Sequence, residues 1–174
     1  MEITRLVKRA KRKDADAFTE LMESQMQNMY KVARSILSRD EDVADAISDT
    51  ILVCWEKIDT LKKNRFFRTW MTRILINKCN DILRAGQRTV FTDEPLEIEY
   101  MENEFLNLEW KEMLQSLDEK YRIVLLLYYG EGFSIKEIAQ ILELTESAIK
   151  SRLSRGREHV KQEYNAGGIC HEKS

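Results

Sequence analysis

Residues 134–142 (SIKEIAQIL), 143–145 (ELT) and 146–161 (ESAIKSRLSRGREHVK) decide how this chain folds. Their spacing predicts a short helix, a tight turn and a second helix. Ser134 followed by Glu137 is a capping box, which satisfies two orphan backbone N–H groups and so starts a helix. Ile135, Ile138, Ala139 and Leu142 then recur at helical spacing. Thr145 can cap the helix that follows. There Ile149 and Leu153 share an inward face, while Ser147, Ser151, Ser154 and Arg155 lie opposite, flanked by Lys150 and Arg152. Such a helix-turn-helix seats its second helix in the DNA major groove, where small polar and basic side chains reach base edges. The plain alternative is a solvated basic face on a helical hairpin. The cap, the turn and the two-faced second helix together favour DNA.

Outward from this stretch, composition narrows the class. The chain has 174 residues, enough for one ordinary domain or two small ones, and 43% of them are hydrophobic. Glycine and proline are scarce and helical periodicity is long, so the expected class is all-α. No apolar run approaches the ~18 residues that span a membrane. Arg5, Lys8 and Arg9 are not followed by an apolar core, so no signal peptide is read. Cys54, Cys79 and Cys170 are odd in number and lack metal-type spacing, so they read as reduced cytosolic thiols. Cys170-His171 alone is a weak metal site. A cytoplasmic protein without metal or cofactor is expected.

The formal net charge of −2 conceals segregated blocks. Residues 40–56 carry Asp40, Glu41, Asp42, Asp45, Asp49 and Glu56 and no lysine or arginine. Residues 57–88 are basic, opposed only by Asp59 and Asp81. Residues 93–104 are acidic again. Segregated charge suits more than one kind of partner: a basic block suits phosphate, and an acidic helix suits a basic protein surface.

The upstream periodicity predicts a first helix with Ile3, Leu6, Val7 and Ala10 apolar. A longer helix follows, capped by Asp14 or Asp16, with Phe18, Leu21, Met22, Met29, Ala33, Ile36 and Leu37 as its stripe. Asp40 is read as the cap of the next, with Val43, Ile47, Ile51, Cys54 and Ile58 inward. After a basic loop, Lys62 to Arg65, a helix from about Phe66 to Ala85 would bury Phe67, Trp70, Ile74 and Ile82. Such helices can close one bundle over residues 1–86. Residues 87–107 lose periodicity, hold the single Pro95 and are acidic, so they read as a flexible linker. About twenty residues fully extended span roughly 65 Å. The helix-turn-helix domain is then 108–164, opening with a helix of Leu108, Trp110, Met113, Leu114 and Leu117 and an apolar helix at 121–130. A disordered tail is expected over 165–174.

Taken in order, these parts resemble the extracytoplasmic-function (ECF) sigma factors of the sigma-70 family, over about Leu6 to Lys161. Asp42, Asp45 and Asp49, in a run ending at Trp55, resemble the segment that binds the polymerase β′ coiled coil. They share one helix face. Ala44 and Ser48 stand where the family usually has glutamate and glutamine. Trp55 reads as core. Phe67 to Arg84, with Trp70, Arg73, Asn77, Asp81 and Arg84, resembles the promoter −10 region. Basic side chains there can neutralise phosphates, and loops with aromatics can hold an unstacked base. The resemblance implies that Lys62, Lys63, Asn64, Arg65 and Phe66 form a flipped-base pocket and that Asn77 reads the upstream edge. Arg68 is a further DNA candidate. Trp70 is either buried or a DNA contact, and the alternative reading of Arg73 and Asp81 is a pair within the bundle. Residues 149–157 resemble the −35 reader, with Ser147-Ala148 in place of the usual Gly-Thr. By resemblance Lys150, Ser151, Ser154 and Arg155 reach bases, while Arg152, Arg157 and Lys161 hold phosphates or stay solvated. Leu117 to Arg122 resembles the family's lead-in, with Asp118 in place of proline.

The resemblance implies core RNA polymerase (β′ coiled coil and β flap), promoter DNA and a cognate anti-sigma factor as partners, with no membrane insertion. No enzyme is read: His159 and His171 lack catalytic neighbours and no Gly-rich phosphate loop is present. A DNA-binding regulator acting without polymerase is the main competing reading, and an adaptor using only the acidic helix a weaker one.

Overall fold

The computed structural model describes residues 2–86 and 114–171, with side chains in the last helix to 166. Every regular element among them is helical, as expected. They fall into two compact units. The expected linker and the opening helix residues Leu108, Trp110 and Met113 lie outside the described residues.

In the first unit α1 spans Glu2–Ala10 and buries Leu6, Val7 and Ala10. A turn carries Lys13 in the left-handed region. Asp14 then caps α2, Ala15–Ile36, accepting from the Ala17 N–H at 3.1 Å. Asp14 also pairs with Arg9 at 2.8 Å. The Ala17 N–H, and after it Arg9, hold the Asp14 carboxyl below its ordinary range. Phe18, Leu21, Met22, Met29, Ala33 and Leu37 are buried as the stripe predicts, whereas Ile36 is only half-buried.

Helix α3, Asp40–Lys57, starts one residue earlier than expected, with Arg39 at the cap and no side-chain cap bond. The Asp40 carboxylate is turned instead to Arg34, 3.1 Å away. Arg34 is 3% exposed and donates to the Ser38 carbonyl at 2.7 Å, so it pins the α2–α3 connection. Val43, Ala46, Ile47, Thr50 and Cys54 face the core. The Thr50 hydroxyl satisfies itself on the Ala46 carbonyl. Ile51 and Trp55 are half-buried. A 3-10 turn, Ile58–Thr60, and the buried Leu61 lead to a second, Asn64–Phe66, and then to α4, Phe67–Gly86.

Helix α4 buries Phe67 as predicted, but otherwise a different row from the one expected. Phe67, Thr69, Met71, Thr72, Leu75, Ile76 and Cys79 are inside, while Trp70, Ile74 and Ile82 are half-buried. The apolar count alone could not separate these rows; the packing of α4 against both α2 and α3 does.

In the second unit the described chain begins with the buried Leu114. Arg122 donates from Nε to the Leu114 carbonyl and from a terminal nitrogen to that of Leu117. Helix α5, Glu119–Leu125, continues into a π-helical turn, Leu126–Gly130. Helix α6 is Ile135–Leu142 and α7 is Glu146–His171. The α7 backbone stays helical through Gly167 and Gly168, where a disordered tail was expected. A glycine costs only about 1 kcal/mol relative to alanine and no proline intervenes, so a formed helix can run through the pair.

Candidate nucleic-acid interface

The helix-turn-helix is built as its sequence predicts. The Ser134 hydroxyl accepts from the Glu137 N–H, and Glu137 accepts from the Ser134 N–H at 2.8 Å. Helix α6 stops at Glu143, whose φ of 56° is left-handed, and the Leu144 N–H closes on the Ala139 carbonyl. Thr145 Oγ1 accepts from the Ala148 N–H at 3.1 Å and starts α7. Ile138, Ala139 and Ile141 are buried in α6, with Ile135 and Leu142 half-buried; Ile141 is a core residue the stripe missed.

The buried row of α7 is Ile149, Leu153 and Gly156. A Cβ at Gly156 would meet Leu125 Cδ1 at 3.1 Å, so this glycine sets how closely α7 approaches α5. The outward row is Ser147, Lys150, Ser151, Ser154 and Arg155, all exposed. Their i, i+3, i+4, i+7 and i+8 spacing keeps them on one face. Arg152 is half-buried on one flank. Arg157, on the other, is folded back: Nε donates to the Leu153 carbonyl and Nη1 to the Tyr129 hydroxyl, each at 3.3 Å. His159 packs on Tyr121, with ring centroids 5.4 Å apart.

In the first unit a second polar row forms. Trp70, Arg73, Asn77, Asp81 and Arg84 recur at i, i+3, i+7, i+11 and i+14, and so share one face of α4. Arg73, Asn77 and Arg84 are exposed and Trp70 is half-buried on Phe67. Arg68, half-buried, falls on another side by its spacing and does not join this row. Asp81 is exposed and pairs with Arg84 at 3.6 Å, so it has no role inside the bundle. Exposed pairs of this kind contribute little to stability.

The loop precedes α4. Lys62, Lys63 and Arg65 are exposed, and Asn64 is half-buried. Phe66 keeps 38% of its surface exposed, with the Arg65 guanidinium 4.7 Å from its ring centroid. The guanidinium lies over one face of the ring, and this part-exposed cation–ring stack offers a platform to an unpaired base.

A third surface lies on α3. Asp45 and Asp49 are exposed and Asp42 half-buried, opposite the core row. Leu52, on the next turn of that face, is 61% exposed. Sequence reading passed over it because an isolated leucine looks like core. The available signal was its spacing, i+3 from Asp49 and i+7 from Asp45, off the Val43–Ile47–Cys54 stripe.

Comparison with known proteins gives matches to both units. Residues 21–89 match the model described as Sigma-70 region 2, and residues 107–160 that of Sigma-70, region 4. The chain is 26% identical to the ECF RNA polymerase sigma factor SigW of Bacillus subtilis (strain 168), over 94% of this chain and 97% of that protein. It is 28% identical to the ECF RNA polymerase sigma-E factor of Escherichia coli (strain K12), over 89% and 90%. Among solved structures, the sigma factor RpoE of Bartonella quintana, in complex with the anti-sigma factor NepR, superposes with a TM-score of 0.70 at 24% identity, covering 83% of this chain and 94% of that one. The last comparison speaks for the fold.

Proposed function

The chain belongs to the sigma-70 family, with the ECF sigma factors as its relatives, and on that premise we propose how its three surfaces divide the work of directing RNA polymerase to particular promoters. The observation that carries the reading is the coexistence in one chain of two separate polar helix rows, on α4 and on α7, with an acidic row on α3.

The α7 row enters the −35 major groove. Lys150, Ser151, Ser154 and Arg155 face base edges there, and Ser147 stands beside the backbone at the helix start. Arg152 and Lys161 flank it toward phosphates, and Arg157 would join them only by leaving the Leu153 carbonyl and the Tyr129 hydroxyl. Phosphate contacts fix register, while base-edge contacts carry the specificity.

The loop Lys62–Phe66 and the α4 row act on the −10 element. The part-exposed Phe66 ring and the Arg65 guanidinium stacked on it hold a base taken out of the duplex stack. Arg73 and Arg84 neutralise the separated strand, Trp70 stacks at the row's start, and Asn77 reads the upstream edge. Arg68 lies off this row and is given no base contact.

Asp42, Asp45 and Asp49 dock on a basic face of the polymerase β′ coiled coil. Leu52 adds an apolar anchor among them, because a charge rim around a desolvated centre is the usual anatomy of a protein interface. The second unit would contact the β flap. The chemistry belongs to polymerase; this chain positions and melts DNA. It acts where polymerase acts, in the cytoplasm; among the described residues no helix is long and apolar enough to cross a membrane. As with the relative solved on NepR, an anti-sigma factor would hold it inactive.

Purified protein mixed with core polymerase and genomic promoter DNA should yield discrete run-off transcripts that start at few sites. Duplex binding without core enzyme, and no transcripts with it, would sink this reading in favour of an independent DNA-binding regulator.

A further inference from the structure

The turn that follows α1 grips backbone far away in sequence. The Lys11 ammonium donates to the Leu61 carbonyl, 50 residues on. Lys13 donates to the Trp55 carbonyl at 2.8 Å, 42 residues on. The Lys13 ammonium also lies 4.9 Å from the Trp55 ring centroid, and that ring packs on Phe18. Trp55 sits in the last turn of α3, where carbonyls have no intrahelical donor and a cation is favoured. Leu61 is buried and immediately precedes Lys62.

The grip is itself held rigid. Lys13 adopts a φ of 63°, uncommon for a residue with a side chain. Arg9 pairs with Asp14 across the same turn, and Asp14 caps α2. Helix α1 also packs directly against the Asn64–Phe66 turn. The loop at 62–66 is therefore fixed at its entrance by Lys11, along its turn by α1, and at its exit by α4.

We propose that Lys11 is a positioning residue for base reading at the −10 element: it fixes the backbone from which residues 62–66 depart without touching DNA. This rests on the assignment of the loop as the −10 reader. A flipped base is discriminated by groups held to within a fraction of an ångström, so a freed Leu61 carbonyl should blur discrimination before it weakens binding.

The test uses the full chain with core polymerase and run-off templates carrying single-base changes in the −10 or the −35 element. Lys11→Met should lower discrimination at one −10 position roughly three- to tenfold, less than the full worth of a charge-assisted hydrogen bond because the lost bond acts on the base only through the loop backbone. The −35 preference and core affinity should be unchanged, and Lys11→Arg should restore most of the loss. If Lys11→Met does not fold, Lys11→Gln is read by the same ratio. Arg65→Ala serves as the control within the loop. If it alters −10 preference and Lys11→Met does not, the inference alone fails. If neither does, the −10 assignment fails and takes the inference with it. A proportional loss of −10 preference, −35 preference and core binding would make Lys11 merely structural and overturn the proposal.

Discussion

Arg155 is the side chain on which a single substitution should say most. It is exposed at the C-terminal end of the α7 row, and arginine offers two parallel donors to guanine. Arg155→Ala should cost about 1–3 kcal/mol of binding to the preferred −35 sequence and relax preference at one base pair, measured by competition with −35 variants. Asp14 gives a pH prediction. Its folded-state pKa is lowered, so its contribution is complete above the ordinary value of 3.8 and is lost as pH falls through the lower folded value. Asp14→Asn keeps a competent cap but cannot titrate. Its melting temperature should therefore fall less steeply than that of the unaltered chain when the pH is taken below 3.8. Cys54 is fully buried and its thiol is pushed up to about 12 by that burial. It should resist alkylation at neutral pH until the first unit unfolds, as mass spectrometry of iodoacetamide-treated protein would report.

At the scale of elements, what was legible depended on whether local chemistry or tertiary packing made the choice. The capping box at Ser134, the break at Glu143 and the cap at Thr145 are local bonds between near neighbours, and they form as the sequence implies. The aspartate cap of α3 was misread because Arg34, six residues upstream, claims the Asp40 carboxylate. The buried row of α4 was misread because α2 and α3 together decide which apolar residues go inside. The outward row at Trp70, Arg73, Asn77 and Arg84 was legible through family resemblance, and spacing alone then removes Arg68 from it. Leu52 was invisible because hydropathy does not say which leucine lies off the core stripe. Gly156 supplies the element-scale prediction. Alanine there should gain about 1 kcal/mol of helix propensity, but its Cβ would press on Leu125, which is 1% exposed and has little room to move. Overpacking costs about 1–3 kcal/mol. Gly156→Ala should therefore lower the second unit's stability in chemical denaturation, and Gly156→Val should lower it further.

At the scale of the whole molecule, the acidic residues 93–104 stand in sequence between the two units proposed to face DNA. Their charge would keep that segment off the promoter and in a channel that otherwise takes nucleic acid. Neutralising Asp93, Glu94, Glu97 and Glu99 together should change the ratio of abortive to full-length RNA on a cognate promoter; an unaltered ratio would count against this role. The grip of the turn after α1 on Trp55 and Leu61 has a separate consequence for the order in which the chain matures. Contacts across 42 and 50 residues close late, because loop closure must precede them. Within the first unit, α1 is translated before α2, α3 and α4, yet the turn that follows it is thus among the last parts to be fixed. Once Gly86 has emerged, however, every element of the first unit is available, before any of the helix-turn-helix has been translated. A nascent chain could then present its acidic α3 face to polymerase while its DNA-reading helix is still unsynthesised.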